Sequence, residues 1–146
     1  MICAEMIEIE TPAVVRRDPV RMPNGLLGFE KIKDYVLTAN PDEHPFAWLK
    51  VLDNSGLAFV VIDPFVALPD YQPDIPQADV EFLQLHQPED ALLLGIVTIH
   101  SAQRATVNLK GPIVLNRNTH VAKQVIIANA SAYSVTHPLP VAEAAD

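Results

Sequence analysis

The side chains best suited to ligate a metal or act as nucleophiles are five histidines, His44, His86, His100, His120 and His137, and one cysteine, Cys3. No two of the histidines fall at the spacing that sets a metal pair on one helix face or one strand face, so no metal centre is expected. Cys3 precedes the first patterned segment and has no neighbouring base to activate its thiol. A lone cysteine also excludes an internal disulfide and points to a reducing compartment. The chain has no Gly-x-Ser-x-Gly elbow, no phosphate-cradling glycine loop and no Gly-x-Gly-x-x-Gly. Asp70, Asp74 and Asp79 lack the spacing and the central glycine of a calcium loop. Catalysis and cofactor binding are therefore not expected.

What the charged residues suit is recognition. From Asp63 to Asp90 there are seven acidic residues and no lysine or arginine, and from Ala91 to Ala142 there is no acidic residue at all. The acidic window opens on Asp63-Pro64-Phe65-Val66-Ala67-Leu68-Pro69-Asp70-Tyr71, in which rigid prolines, two aromatics and acids are combined. Such a segment presents anchors to a partner at low entropic cost. Asp63, Phe65, Asp70, Tyr71 and Asp74 are the candidate partner-binding residues. The plainer reading of Phe65 and Tyr71 is that they plug one end of the sheet.

The elements that must position this segment read mainly as strands. Met6-Ile7-Glu8-Ile9-Glu10 alternates with a period of two, and short strands are expected around Val20–Met22, over Asp34–Ala39, Phe46–Leu52 and Leu57–Ile62. Pro23-Asn24-Gly25, Asn40-Pro41-Asp42 and Asp53-Asn54-Ser55-Gly56 supply turns, with an irregular or short helical turn over Leu26–Ile32. Loops this short join antiparallel neighbours, because parallel ones need crossovers of about a dozen residues. The five prolines between Pro64 and Pro88 break ladder pairing. Pro76–Leu85 is the one predicted helix, with proline in its first turn, acids early, and Val80, Phe82 and Leu83 toward the core. Ala91–His100 predicts a strand covered on both faces, followed by strands over Ala105–Leu109, Pro112–Asn116 and Val121–Ile127. The fold class is all-β, mainly antiparallel, a barrel-like body or compressed sandwich with one short helix.

With 146 residues, 49% of them hydrophobic and 19% charged, the chain suits a single domain over 1–146, with its core at about 6–139 and a tail, 140–146, expected to fray. No secretory leader and no apolar run near the about 18 residues of a membrane span are visible, so a cytoplasmic location is expected. A net charge of −8 disfavours direct contact with nucleic acid and favours protein partners.

Several segments, taken in order, resemble the flagellar assembly factor FliW family. They are Gly25-Leu26-Leu27-Gly28-Phe29-Glu30, Ala58-Phe59-Val60-Val61-Ile62-Asp63-Pro64-Phe65, Pro69-Asp70-Tyr71, Asn108-Leu109-Lys110-Gly111-Pro112-Ile113-Val114-Leu115-Asn116, Lys123-Gln124-Val125-Ile126 and His137-Pro138-Leu139. Two departures stand out: Thr11–Asp18 is shorter and more basic than the family's usual first hairpin, and Gly111 replaces a common alanine. The resemblance implies a non-catalytic cytosolic protein that binds the translational regulator CsrA and also flagellin. It would relieve CsrA repression of flagellin translation until flagellin competes it away. The competing expectations are a small-ligand-binding β-barrel and a flagellin chaperone with no regulatory role.

Overall fold

Runs of β-branched and apolar residues, cut at short intervals by Pro, Gly, Asn and Asp, fold into one nine-stranded sheet in which every strand-to-strand ladder is antiparallel. The computed structural model describes residues 16–53 and 55–139. The predicted strand over Met6–Glu10, Cys3 and the tail 140–146 lie outside the described residues.

The first four strands form the expected meander: β1 (Arg16–Arg21), β2 (Asp34–Ala39), β3 (Phe46–Val51) and β4 (Ala58–Ile62). The segment between β1 and β2 is a chain of tight turns without a helix, closed by a bridge between Leu26 and Phe29. Gly25 makes it possible. Its φ of +64° suits glycine, and a Cβ there would fall on the backbone of Phe29 and Glu30.

β5 (Ala91–Ser101) is the spine. Its first half pairs with β7 (Ile113–Asn116) and its second half with β6 (Arg104–Val107). Between those two partners the chain makes an excursion from Asn108 to Pro112, folded by the Asn108 carboxamide, whose oxygen accepts the amides of Lys110 and Gly111. β8 (Ala122–Gln124) pairs with β7, and β9 (His137–Pro138) pairs with β6. β5 is covered on both faces only as far as Val97; from Thr98 onward it is exposed, so the expectation of cover along its whole length fails where the β5–β6 hairpin outruns the core.

Closure is the second difference from expectation. Among the described residues one parallel bridge, Arg21 to Val121, joins β1 back to the β8 side, where the Arg21 amide donates to His120 O at 2.9 Å. A true barrel closes through a continuous ladder, so the body is barrel-like without being closed.

Two short α-helices are present among the described residues. α1 (Pro64–Ala67) lies where the sequence reading expects a loop: Asp63 caps it and Pro64 takes the first turn, where a missing N–H costs nothing. α2 (Gln77–Phe82) is shorter than predicted, because Leu83 ends it and Gln84 turns to a φ of +57°. Leu83 is buried, whereas Phe82 is 43% exposed and holds Lys123 over its ring at 5.4 Å. Adjacent helical residues point about 100° apart, and with Leu83 buried Phe82 is left at the surface.

Three apolar clusters fill the body. The largest gathers Met22, Leu26, Tyr35, Leu49, Val61, Leu94 and Ile113; a second lies on the opposite face of β4 around Ile62, Tyr71, Val107 and Leu109; a third, around Leu83, Val114 and Val125, seats α2.

Candidate functional site

The candidate residues sit on a shelf that leaves the sheet at the end of β4 and returns at the start of β5. Asp63 opens it. Its Oδ1 accepts the Phe65 amide at 2.9 Å, while Oδ2 is buried with no hydrogen-bond partner. Burial pushes this carboxyl above its ordinary value, and the Phe65 amide offsets only part of the effect. At 3% exposure, Asp63 cannot meet a partner directly; it shapes the shelf.

Tyr71 is likewise internal, at 2% exposure. Its ring is wedged between Phe65, at a centroid distance of 5.7 Å, and Tyr133, at 4.8 Å, and its hydroxyl donates to Leu109 O at 2.6 Å. Desolvation, helped by Tyr133, raises its phenol well above the usual range. Of the two readings of the aromatics, Tyr71 takes the plugging role outright. Phe65 is half-buried against the same cluster.

Asp70 and Asp74 are exposed. The backbone of Asp74 is held while its carboxylate is left to solvent: the Asp74 amide donates to Asn129 Oδ1 at 2.9 Å and Asp74 O accepts the Ala128 amide at 2.7 Å. Asn129 Nδ2 donates to Gln72 O, and the Gln72 amide donates to the Tyr133 hydroxyl. Segment 72–74 is thus stitched to 128–133. Asn129, Tyr133 and Leu109 escaped the sequence reading. Tyr133 carries no local signal, and the contribution of Leu109 is a main-chain carbonyl that no side-chain pattern encodes.

The remaining acids of the window divide in the same way. Asp79 is buried and paired with Lys123. Asp90 is buried too, accepting the amides of His86 and Gln87 at 3.0 and 3.1 Å and Asn118 Nδ2 at 3.1 Å; the His86 amide is the main reason its carboxyl is held below the ordinary range. Glu81 and Glu89 face solvent. The charge partition of the sequence is therefore partly internal: an acid from the acid-only segment pairs with a lysine from the acid-free one. What stays outside is Asp70, Asp74, Glu81 and Glu89.

Among the described residues no group of three or more His, Cys, Asp or Glu side chains is placed to hold a metal, and no helix is long and apolar enough to cross a membrane. His44, His86 and His100 are exposed, and His100 Nε2 is hydrogen-bonded with Thr106 Oγ1.

An antiparallel, incompletely closed sheet with an acidic segment between β4 and β5 defines a small all-β protein. Comparison with known proteins makes this specific. The FliW family model matches residues 5–139. The flagellar assembly factor FliW of Syntrophus aciditrophicus is 40% identical over 126 residues, 86% of this chain and 77% of that protein. That of Treponema denticola is 33% identical over 135 residues, 92% and 87% of the two chains. A crystal structure of the flagellar assembly factor FliW superposes with a TM-score of 0.74 at 35% identity, covering 83% of this chain and 84% of the other. The chain belongs to the FliW family, a family of flagellar assembly factors and not a known family of enzymes.

Proposed function

We propose that this protein acts in the cytoplasm by binding a CsrA-type translational regulator and flagellin in turn, holding CsrA off flagellin messenger until free flagellin displaces it. Family membership supports the flagellar role. The observation that carries the binding mode is the exposure of Asp70 and Asp74, the latter on backbone bonded to residues 128 and 129, within a segment that contains no lysine or arginine.

Carboxylates carried on an already ordered backbone ask little further main-chain entropy on docking and attract a basic, RNA-binding partner. Once docked, an acidic body repels the phosphates of a competing messenger even where it covers none of the RNA contacts. Phe65, half-buried at the root of the shelf, adds apolar contact beside the acids. Asp63 and Tyr71 act indirectly, by holding that surface in shape.

A competition among labelled flagellin messenger, CsrA, flagellin and this protein tests the reading. The protein should lower the messenger-bound fraction of CsrA, and added flagellin should restore it. A protein that binds flagellin but leaves CsrA on the messenger would be a chaperone with no regulatory role, and one that binds neither at micromolar concentration would end the proposal.

A further inference from the structure

β4 and β5 begin as neighbours and then part. Their ladder holds two pairs, Val61 with Ile96 and Ile62 with Gly95. The strand alternation shows which backbone groups are left over. The Leu57 carbonyl accepts the Val51 amide at 3.0 Å, so Leu57, Phe59 and Val61 turn their main-chain groups to β3, while Ala58, Val60 and Ile62 turn theirs to β5. On β5 the Ile96 carbonyl accepts the Asn108 amide at 3.0 Å, on the β6 side, so Gly95, Val97 and Ile99 address β4. Continuing the register would pair Val60 with Val97 and Ala58 with Ile99. Neither pair forms, because β5 follows β6 into the exposed hairpin.

The result is a fork in which, among the described residues, no ladder engages the fork-facing main-chain donors and acceptors of Ala58 and Ile99. It opens onto a groove of about 450 Å³ floored by Phe46, Trp48, Val60, Ile99 and Ala105. Ile99 is 62% exposed, and the exposed Asp42 and Glu43 stand at the rim. Unpaired strand edges bind extended chains, whose main chain supplies affinity and whose alternate side chains fill pockets.

We propose that this fork is a strand-receiving site, taking an extended segment of a protein partner with apolar residues at alternate positions and a lysine or arginine that meets Asp42 and Glu43. It is a surface separate from the acidic shelf, and it rests on the reading of this protein as one that works by holding others.

Trp48, the one tryptophan in the chain, lines the groove and reports on its occupancy. The probe is a peptide of alternating valine and threonine with a lysine at each end, titrated against the full-length protein. A saturable change in Trp48 emission is expected, weaker with a glutamate-ended probe and converging with it at high salt. Ile99→Pro and Ala58→Pro each delete a donor that faces the fork and no hydrogen bond of the existing ladders. Each should weaken the probe by about tenfold or more, while Ile99→Val binds as wild type and all three keep the wild-type urea midpoint.

No emission change in the wild type, or proline variants that bind unaltered, would overturn the site. So would a concentration-dependent dimer abolished by Ile99→Pro, which gives the fork to a second copy, or tighter probe uptake by Ile9→Pro, which gives it to the chain's own amino-terminal segment. Wild-type protein that takes the probe but binds neither CsrA nor flagellin would refute the proposed function and leave the fork standing. Intact CsrA and flagellin binding without probe uptake would do the reverse.

Discussion

The hydroxyl of Tyr71 donates to the carbonyl oxygen of Leu109 across 38 positions of sequence, at 2.6 Å and out of reach of solvent. That bond ties the middle of the acidic shelf to the excursion between β6 and β7. The ring stack with Phe65 and Tyr133 surrounds it with apolar contact, so bond and packing hold the same point.

Tyr71→Phe leaves the Leu109 carbonyl buried without its donor and should cost about 1–3 kcal/mol, while Tyr71→Ala, which also empties the stack, should cost about 3–5 kcal/mol. Urea denaturation at neutral pH measures both. The phenol of Tyr71 is raised above its unfolded value, so its contribution is whole below about pH 10 and drains away as pH rises beyond that. Tyr71→Phe should accordingly flatten the alkaline limb of the stability profile.

The raised carboxyl of Asp63 has the same sign of linkage at lower pH. Its protonated form is favoured in the folded state, so its contribution is fully present below the unfolded carboxylate pKa and is lost as pH rises through the folded value. Asp63→Asn keeps an acceptor for the Phe65 amide and removes the buried charge. Its stability relative to wild type should therefore improve steadily from about pH 4 toward pH 7, as read from paired urea titrations. A constant difference across that range would show that the carboxylate is not strained by burial.

Asp90 behaves oppositely. Its carboxyl is held low by the amides of His86 and Gln87 and by Asn118, so it stabilises the fold above the unfolded pKa, and that contribution is lost as pH falls through its folded value. Asp90→Asn should be less stable than wild type at pH 7, with the gap closing in acid. Thermal melts at a series of pH values decide it.

Asp70→Lys with Asp74→Lys should weaken CsrA binding by about tenfold at low ionic strength, with the loss shrinking as salt is added. Because both side chains are exposed, stability should move by no more than about 0.5 kcal/mol per substitution. Unchanged affinity at low salt would remove these two carboxylates from the interface.

Asn129→Ala removes the acceptor of the Asp74 amide and the donor to Gln72 O together. The amide of Asp74 should then exchange hydrogen markedly faster, with a global loss of about 1–2 kcal/mol. Partner affinity should fall too, although Asn129 itself need touch no partner, because the shelf would have to be reordered on binding.

The meander is legible in the residues because a strand's signal is local: apolar and β-branched runs such as Tyr35-Val36-Leu37 and the turn chemistry around Pro23-Asn24-Gly25 show directly. Where contacts are distant, the same reading missed. The local pattern places both Phe82 and Leu83 toward the core, but only Leu83 is buried, and Phe82 lies outside against Lys123. The Asp63-Pro64 capping signal was present in the sequence, yet the aspartate read equally well as a surface charge.

By itself, then, the sequence determined an antiparallel β body of the FliW family, carrying an acidic, proline-stiffened segment between its fourth and fifth long strands. Tertiary structure alone decided which acids remain outside. Asp79 and Asp90 were drawn in by Lys123 and by a cluster of amides with Asn118, Asp63 was buried with one oxygen unpartnered and its carboxyl raised in consequence, and Asp70 and Asp74 stayed in water. The physical reason is that burying a carboxylate is tolerable only where donors or a cation converge on it, and that convergence depends on chain segments brought together from far apart in the sequence.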